Sequence, residues 1–186
     1  MNAFENIVAR YLEAEGYWVR QSVKVEISKE AKKMLKLSTM PRPEIDLVAL
    51  NVKENELLLV EVKSFLDSQG VYFEDVIGKE GEESWGAKRY RLLANKKFRE
   101  VVTAKLREEY LKQGLINENT KINYALAAGH IHSADDELQI RDHFSREGWK
   151  LFAPKEIKEK IEELSKKGWE DDLVTITTKL ILRYKQ

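Results

Sequence analysis

The chain has 186 residues and a mass of 21.7 kDa, which is the size of one ordinary domain that can bury a core. Its 32 Lys and Arg residues balance its 32 Asp and Glu residues, so any attraction for nucleic acid must be local. The absence of cysteine excludes disulfides, iron–sulfur clusters, thiolate zinc sites and cysteine nucleophiles, and it suits a reducing compartment. Acidic residues interrupt the apolar pattern of the N-terminus, and no apolar run approaches the roughly 20 residues of a membrane span. We therefore expect a cytoplasmic protein without a signal peptide or a membrane partner.

The first third of the chain alternates between helical and strand patterns. Apolar residues at helical spacing over 4–12, followed by Gly16, predict a first helix. The next segment predicts a strand with one buried face, because polar residues alternate with Val19, Val23, Val25 and Ile27. A basic stretch after Ser28 predicts one or two helical turns, which Pro41 and Pro43 end.

Two apolar runs, 44–50 and 56–63, surround a short polar linker and predict a pair of antiparallel strands. Residues 57–60 are continuously apolar, which indicates a central strand covered on both faces. The polar, glycine-containing segment 67–84 has no clear period and predicts a mobile loop.

The second half of the chain predicts more alternating helices and strands. A long amphipathic helix is expected from Tyr90 to near Gly114. Later elements are expected as a strand over 122–131, a helix capped by Ser133 and Asp136 that reaches Glu147, a strand over 149–152, and helices over 157–164 and 173–184. For the last of these the β-branched residues 174–177 favour a strand as the alternative. We predict a single α/β domain over residues 1–186, with helices on both faces of a mixed sheet.

Three charged residues stand at the ends of the hairpin strands, where burial is costly unless the charges are paired or bind a metal. A hairpin that pairs residue 51 with residue 56 puts Asp46 directly opposite Glu61, with Cβ atoms roughly 4.5–5.5 Å apart. Lys63 follows on the same face as Glu61. A hard cation such as Mg²⁺, or Mn²⁺ in its place, would relieve the repulsion between the carboxylates, and the Val62 carbonyl could supply a further oxygen ligand.

These residues suit the hydrolysis of a phosphodiester, since carboxylates hold the metal and a lysine offsets the charge on the reacting phosphate. A structural interpretation competes with this one. Glu61 and Lys63 could form an ion pair at the end of the sheet, with Asp46 capping a turn.

Three segments resemble, in order, parts of the PD-(D/E)XK nucleases, and archaeal Holliday-junction resolvases look nearest. FENIVARYLEAEGYWV is similar to the first helix of that family, IDLVAL to the strand with the metal-binding aspartate, and LLLVEVKS to the strand with the Glu-x-Lys signature. Ile45 stands where the motif usually has proline, and the resemblance extends only to about residue 64. It implies a restriction-endonuclease-like α/β/α sandwich with a central mixed sheet, a Mg²⁺-dependent endodeoxyribonuclease, DNA as partner and a homodimer.

The resemblance also implies that Glu5 of the first helix contacts the metal directly or through water. The residues by themselves allow a structural role, because Asn2 and Glu5 have the spacing of a capping box. Two histidines, His130 and His132, are expected to be hydrogen-bonded structural groups rather than metal ligands.

Residues 88–107 carry eight basic side chains against the single acid Glu100. Such a run is often only a solvated helix face, but beside a phosphodiesterase site it becomes a candidate track for the DNA backbone. The residues predicted to bind nucleic acid are Lys88, Arg89, Arg91, Lys96, Lys97 and Arg99.

The sequence therefore predicts a metal-dependent DNA endonuclease, with junction resolution as one specific activity. The alternative is a noncatalytic nucleic-acid-binding or assembly module on a nuclease-like scaffold. A purely structural α/β domain is a third interpretation.

Overall fold

The computed structural model describes residues 2–35, 42–78, 86–168 and 170–183. Its elements are α1 (Ala3–Ala14), β1 (Trp18–Lys24), α2 (Lys29–Met34), β2 (Glu44–Asn51), β3 (Glu56–Lys63), α3 (Phe73–Ile77), a 3₁₀ helix (Ala87–Tyr90), α4 (Arg91–Ala94), α5 (Lys96–Lys112), β4 (Lys121–Ala128), α6 (Ala134–Glu147), β5 (Lys150–Phe152), α7 (Pro154–Ser165) and α8 (Leu173–Arg183). None of the helices in these ranges is long and apolar enough to cross a membrane.

The described strands form one five-stranded mixed sheet in the order β1-β2-β3-β4-β5. Strands β1, β2 and β3 are antiparallel neighbours, whereas β3, β4 and β5 run parallel. Strand β3 is central, and its residues 57–60 are fully buried, as their continuous apolar run predicted.

Helices cover both faces of the sheet, which confirms the predicted α/β architecture. On one face α1 and α7 pack against Leu58 and Val60 of β3. On the other face α5 packs against Leu57 and Leu59, while α4 and α6 cover the β4 side. Because side chains alternate along a strand, Glu61 lies on the same face of β3 as Leu57 and Leu59, which is the face that α5 covers.

The long helix predicted from Tyr90 is wrong, because Asn95 interrupts it. The backbone of Asn95 is extended, with φ −114° and ψ 100°, and its side chain accepts a hydrogen bond from the Phe98 amide at the start of α5. Asparagine favours such a cap over a helix interior, since its amide competes with the backbone for hydrogen bonds.

Two other predicted boundaries differ in the structure. The expected loop over 67–84 contains the short helix α3, and its residues 79–84 lie outside the described ranges, as does Pro41. Strand β4 ends at Ala128 rather than at residue 131. A side chain at the next residue, Gly129, would collide with the carbonyl oxygen of Ser64, so the chain needs glycine at this close approach.

The later helices agree with prediction. Ser133 caps α6 by accepting a hydrogen bond from the Asp136 amide at 3.0 Å. Asp136 does not complete the predicted capping box; its carboxylate accepts from the Phe73 amide at 2.8 Å and so ties α6 to α3. The last helix is described as far as residue 183, so residue 184 of its predicted span lies outside the described ranges.

The predicted single buried face of β1 is wrong. Val19 packs on the α1 side of the sheet, whereas Val23 packs on the α5 side, although Val23 is four positions after Val19 and regular alternation would put both on one face. Strand β2 makes the same change, because Leu47 lies in the α1-side core and Ile45 in the α5-side core. In both strands, side chains two or four positions apart therefore change from one face of the sheet to the other, and they do so at the same level of the sheet.

Candidate active site

Asp46, Glu61 and Lys63 meet at the end of β3, as the sequence predicted. The Lys63 ammonium lies 2.5 Å from Glu61 Oε1 and 3.7 Å from Asp46 Oδ2. Their side chains are only 16% exposed for Lys63 and Glu61 and 23% exposed for Asp46. One ammonium thus contacts two largely desolvated carboxylates. The ion pair of the structural interpretation is formed, and the three candidate catalytic residues lie at the same point.

The contact that Asp46 makes with β3 differs from the predicted one. The hairpin register is confirmed as far as the Leu47–Val60 pair, where the recorded pairing of β2 with β3 ends. Instead of a direct cross-strand pair with Glu61, Asp46 uses Oδ2 to accept a hydrogen bond from the Val62 amide at 2.7 Å. Backbone amides of a sheet point at the neighbouring strand, so this carboxylate lies in the gap between β2 and β3.

The charges at this site are strongly coupled. Burial raises the pKa of Glu61, and the nearby Asp46 carboxylate raises it further against the opposing effect of Lys63. Burial by itself would lower the pKa of Lys63, but the Glu61 and Asp46 carboxylates more than offset this and raise it above its usual value. In this contact with both carboxylates, Lys63 is therefore a cation and a hydrogen-bond donor at neutral pH.

Glu5 forms the capping box that its spacing allowed. The Asn2 side chain accepts a hydrogen bond from the Phe4 amide at 3.0 Å, and the Glu5 carboxylate accepts from the Asn2 amide at 3.4 Å. Burial raises the pKa of Glu5, and the charges of Asp46 and Glu44 also raise it, which puts Glu5 within electrostatic reach of the site. Its contact with a metal, direct or through water, stays a prediction.

The donor set fits magnesium in its chemistry. Within the described ranges, no three acidic or histidine side chains are grouped so that they could share a metal ion. Mg²⁺ does not require such a group, because it usually keeps several waters and binds one or two carboxylates. Asp46 and Glu61 are the two carboxylates available, and the Val62 carbonyl as a further ligand stays a prediction.

A pocket of about 110 Å³ opens beside Glu61. Its walls combine basic and apolar side chains with the start of β2, and they are formed by Pro43, Glu44, Ile45, Glu61, Lys88, Arg89, Arg91, Leu92, Phe98 and Val102. Three of the six basic residues predicted to bind nucleic acid therefore line the same pocket as a catalytic candidate.

The other three basic residues predicted to bind nucleic acid lie on α5, and they differ in their exposure to solvent. Lys96 and Lys97 are exposed. Arg99 is partly buried, donates a hydrogen bond to the Leu93 carbonyl at 2.6 Å, and lies 4.7 Å from the centre of the Trp149 ring. Arg99 thus joins α5 to α4 and to the β5 end of the sheet, which does not support its predicted contact with nucleic acid.

Sequence reasoning missed Tyr90 as part of this site. Tyr90 is 1% exposed, and the Lys63 ammonium lies 5.6 Å from the centre of its ring. Burial raises the pKa of Tyr90, and the Asp75 and Glu61 carboxylates add to the effect. Its helical spacing marked it only as a core residue, so no signal in the sequence distinguished it.

Sequence reasoning also missed a buried polar cluster at the opposite end of β3. Glu56 accepts hydrogen bonds from Tyr17 Oη at 2.9 Å, from Asn123 Nδ2 at 3.0 Å and from the Lys150 ammonium. Its carboxylate is thus satisfied by protein groups on several sides, as expected for a structural role.

Both histidine rings are hydrogen-bonded, as predicted. His130 Nδ1 lies 3.0 Å from the Ser68 carbonyl oxygen, and His132 Nδ1 lies 3.0 Å from Asp136 Oδ2. Each ring is therefore hydrogen-bonded to a loop or helix end nearby.

Comparisons with known proteins leave the family open. No family model matches the chain, and no curated protein and no solved structure matches it either. Its function must therefore be inferred from the site itself and from the motifs in its sequence.

Proposed function

We propose that this protein is a metal-dependent endonuclease that hydrolyses phosphodiester bonds in DNA. The observation that carries the proposal is the contact of the Lys63 ammonium with both Glu61 and Asp46 beside a pocket lined by Lys88 and Arg91. Carboxylates for a cation, a protonated lysine and basic groups for phosphate are the components that this reaction needs.

The architecture supports the same proposal. A central β3 between antiparallel and parallel neighbours, covered by helices on both faces, is compatible with a restriction-endonuclease-like α/β/α sandwich. The Glu-x-Lys motif lies on that central strand, and the aspartate lies on the adjacent strand.

In the proposed mechanism, Asp46 and Glu61 would hold Mg²⁺, which would supply a more acidic water and polarise the phosphoryl oxygens. Lys63 would donate hydrogen bonds that orient the phosphate and offset the charge that develops on it. The Val62 amide fixes the Asp46 carboxylate, so little reorganisation is needed there during the reaction.

The basic pocket residues would bind the DNA backbone. The chain has no net charge, so the attraction must come from the local field of Lys88, Arg89 and Arg91. Binding of this kind releases counterions and weakens as salt rises.

The direct test is to incubate the purified protein with linear, nicked, flapped and four-way DNA, with Mg²⁺, with Mn²⁺ or with EDTA. We expect cleavage of at least one substrate with either metal and none with EDTA, because the carboxylates cannot replace the cation. A preference for the four-way substrate would support junction resolution. Cleavage that persists in EDTA would contradict the proposed mechanism.

The noncatalytic binding module remains the second candidate, and one observation favours it. Lys63 contacts both carboxylates and offsets one of their two negative charges, as in a structural ion pair. This candidate predicts salt-sensitive DNA binding in the same assay, with no nicking by well-folded protein at any metal concentration.

Replacing Lys88 with alanine should weaken DNA binding and reduce the salt dependence of the affinity by about one unit in the log–log slope, because one phosphate contact is lost. The matched control is Lys53→Ala, since Lys53 is also exposed but lies in the turn between β2 and β3, at the opposite end of β3 from Lys63, and does not line the pocket. Fluorescence anisotropy of labelled DNA over a salt series measures both slopes. Equal slopes for the two variants would argue against the pocket as the phosphate-binding surface.

A further inference from the structure

Ser22 has an unusual backbone conformation for a residue inside a strand. In the described part of the chain, three non-glycine residues have positive φ, namely Ser22 at 52°, Asn55 at 49° and Phe65 at 44°. Asn55 belongs to the turn between β2 and β3, where asparagine is well suited to this conformation. Ser22 instead lies within β1, where a left-handed residue has to be imposed by its surroundings.

Ser22 lies opposite Asp46 in the β1–β2 register. The pairs Gln21–Leu47 and Val23–Ile45 flank this position on either side, but between these two described strands the pair Ser22–Asp46 is not formed. The ladder continues beyond the gap in the same register, so no residue is inserted. This feature therefore differs from a β-bulge, in which two residues oppose one.

The unformed Ser22–Asp46 pair explains why the side chains of β1 and β2 change from one face of the sheet to the other at this level. In a regular strand Ile45 and Leu47 would share a face, because side chains alternate with a period of two. Here Leu47 lies in the α1-side core, whereas Ile45 lines the pocket beside Glu61 on the other face. Asp46 is the residue between them.

The change of face also accounts for the direction of the Asp46 carboxylate. Regular alternation would put Asp46 on the same face as Val48, which packs in the α5-side core. Its Oδ2 atom instead accepts the Val62 amide at 2.7 Å, in the plane of the sheet, and also lies 3.7 Å from the Lys63 ammonium.

We infer that Ser22 is a positioning residue, whose left-handed backbone turns Asp46 out of the regular strand and onto the Val62 amide beside Lys63. The link to catalysis rests on the proposed function, whereas the structural link from Ser22 to the Val62 amide does not. The backbone of Ser22 acts here, and its hydroxyl group has no part in the role.

The test compares Ser22→Gly with Ser22→Val. Glycine adopts positive φ without strain, whereas a β-branched side chain strongly disfavours it. Hydrogen exchange of the Val62 amide reports the contact with Asp46 without requiring activity, and Asp46→Ala gives the value for the lost contact. We expect Ser22→Gly to match the wild type within about twofold and Ser22→Val to exchange at least about tenfold faster, relative to other β3 amides.

The matched control is Asn55→Val, which puts the same side chain on a left-handed residue at the far end of the hairpin. Asn55→Val should lower the free energy of unfolding without a selective change in the exchange rate of the Val62 amide relative to other β3 amides. On cleaved DNA, Ser22→Val should lower kcat at least about tenfold with little change in KM, and Ser22→Gly should leave both near the wild-type values.

Two results would overturn the inference. A Ser22→Gly variant that loses Val62 protection or kcat would assign the role to the hydroxyl group, and unchanged Val62 exchange in folded Ser22→Val would remove Ser22 from the positioning of Asp46. Absence of cleavage by the wild type would contradict the proposed function, whereas the exchange measurement would still decide the role of Ser22.

Discussion

Replacing Asp46 with asparagine should reduce metal-dependent DNA cleavage by at least about a hundredfold while the protein stays folded. Asparagine keeps an oxygen that can accept the Val62 amide, so the local hydrogen bond can persist. It removes the negative charge that attracts a divalent cation. Initial rates of cleavage at several Mg²⁺ concentrations, together with thermal unfolding, measure the two effects separately.

The control for this substitution is Asp142→Asn, which removes the same charge from an exposed position on α6. It should cleave DNA at the wild-type rate. An Asp46→Asn variant that cleaves as fast as the Asp142→Asn variant would exclude Asp46 from the mechanism and shift support to the binding module.

Replacing Glu56 with alanine should lower the free energy of unfolding by about 3 kcal/mol, because it breaks a buried pair and leaves its partners without an acceptor. The Glu56 side chain is 12% exposed, whereas that of Lys150 is 38% exposed and can regain water, which keeps the loss at the low end for such pairs. Urea denaturation at neutral pH gives this value. DNA cleavage per folded molecule should be unchanged, since Glu56 lies at the opposite end of β3 from Lys63.

The same residue predicts a dependence of stability on pH. Burial opposes ionisation of Glu56, but hydrogen bonds from Lys150, Asn123 and Tyr17 outweigh it and hold the pKa of Glu56 below its usual value. The ionised carboxylate therefore stabilises the fold at neutral pH, and this contribution is lost as the pH falls below about 4.3 and through the lower pKa of the folded state. Denaturation from pH 7 to pH 3 should show a shallower acid loss in Glu56→Ala than in the wild type. If stability falls equally steeply with pH in both proteins, the ionisation of Glu56 does not contribute to the acid loss of stability.

The two glutamates of β3 illustrate which roles a sequence reveals. The sequence indicates a role for Glu61, because Lys63 follows it by two residues and Asp46 lies in the neighbouring apolar run. The spacing that matters is therefore local. Glu56 gave no such signal, because Lys150, which satisfies it, is distant in the chain and reaches it only through the parallel strands β4 and β5.

Short-range features of the fold were determined by the sequence itself. The hairpin register follows from the linker between two apolar runs, and the Leu47–Val60 pair agrees with it. The caps at Asn2, Ser28 and Ser133 also follow locally, because each side chain bonds an amide only two or three residues away. The apolar run 57–60 likewise required a strand covered on both faces.

Only the tertiary structure decided which charged groups share a site. The basic run was one pattern in the sequence, but in the structure Asn95 divides it. Lys88, before the break, lines the pocket with Glu61, whereas Arg99, after it, packs over Trp149. Likewise, no alternation pattern predicts the left-handed backbone at Ser22 opposite Asp46, because periodicity records only which side chains are apolar and not how two strands pair. These outcomes depend on contacts between segments distant in the chain, and the free energy of those contacts exceeds the local preferences that periodicity records.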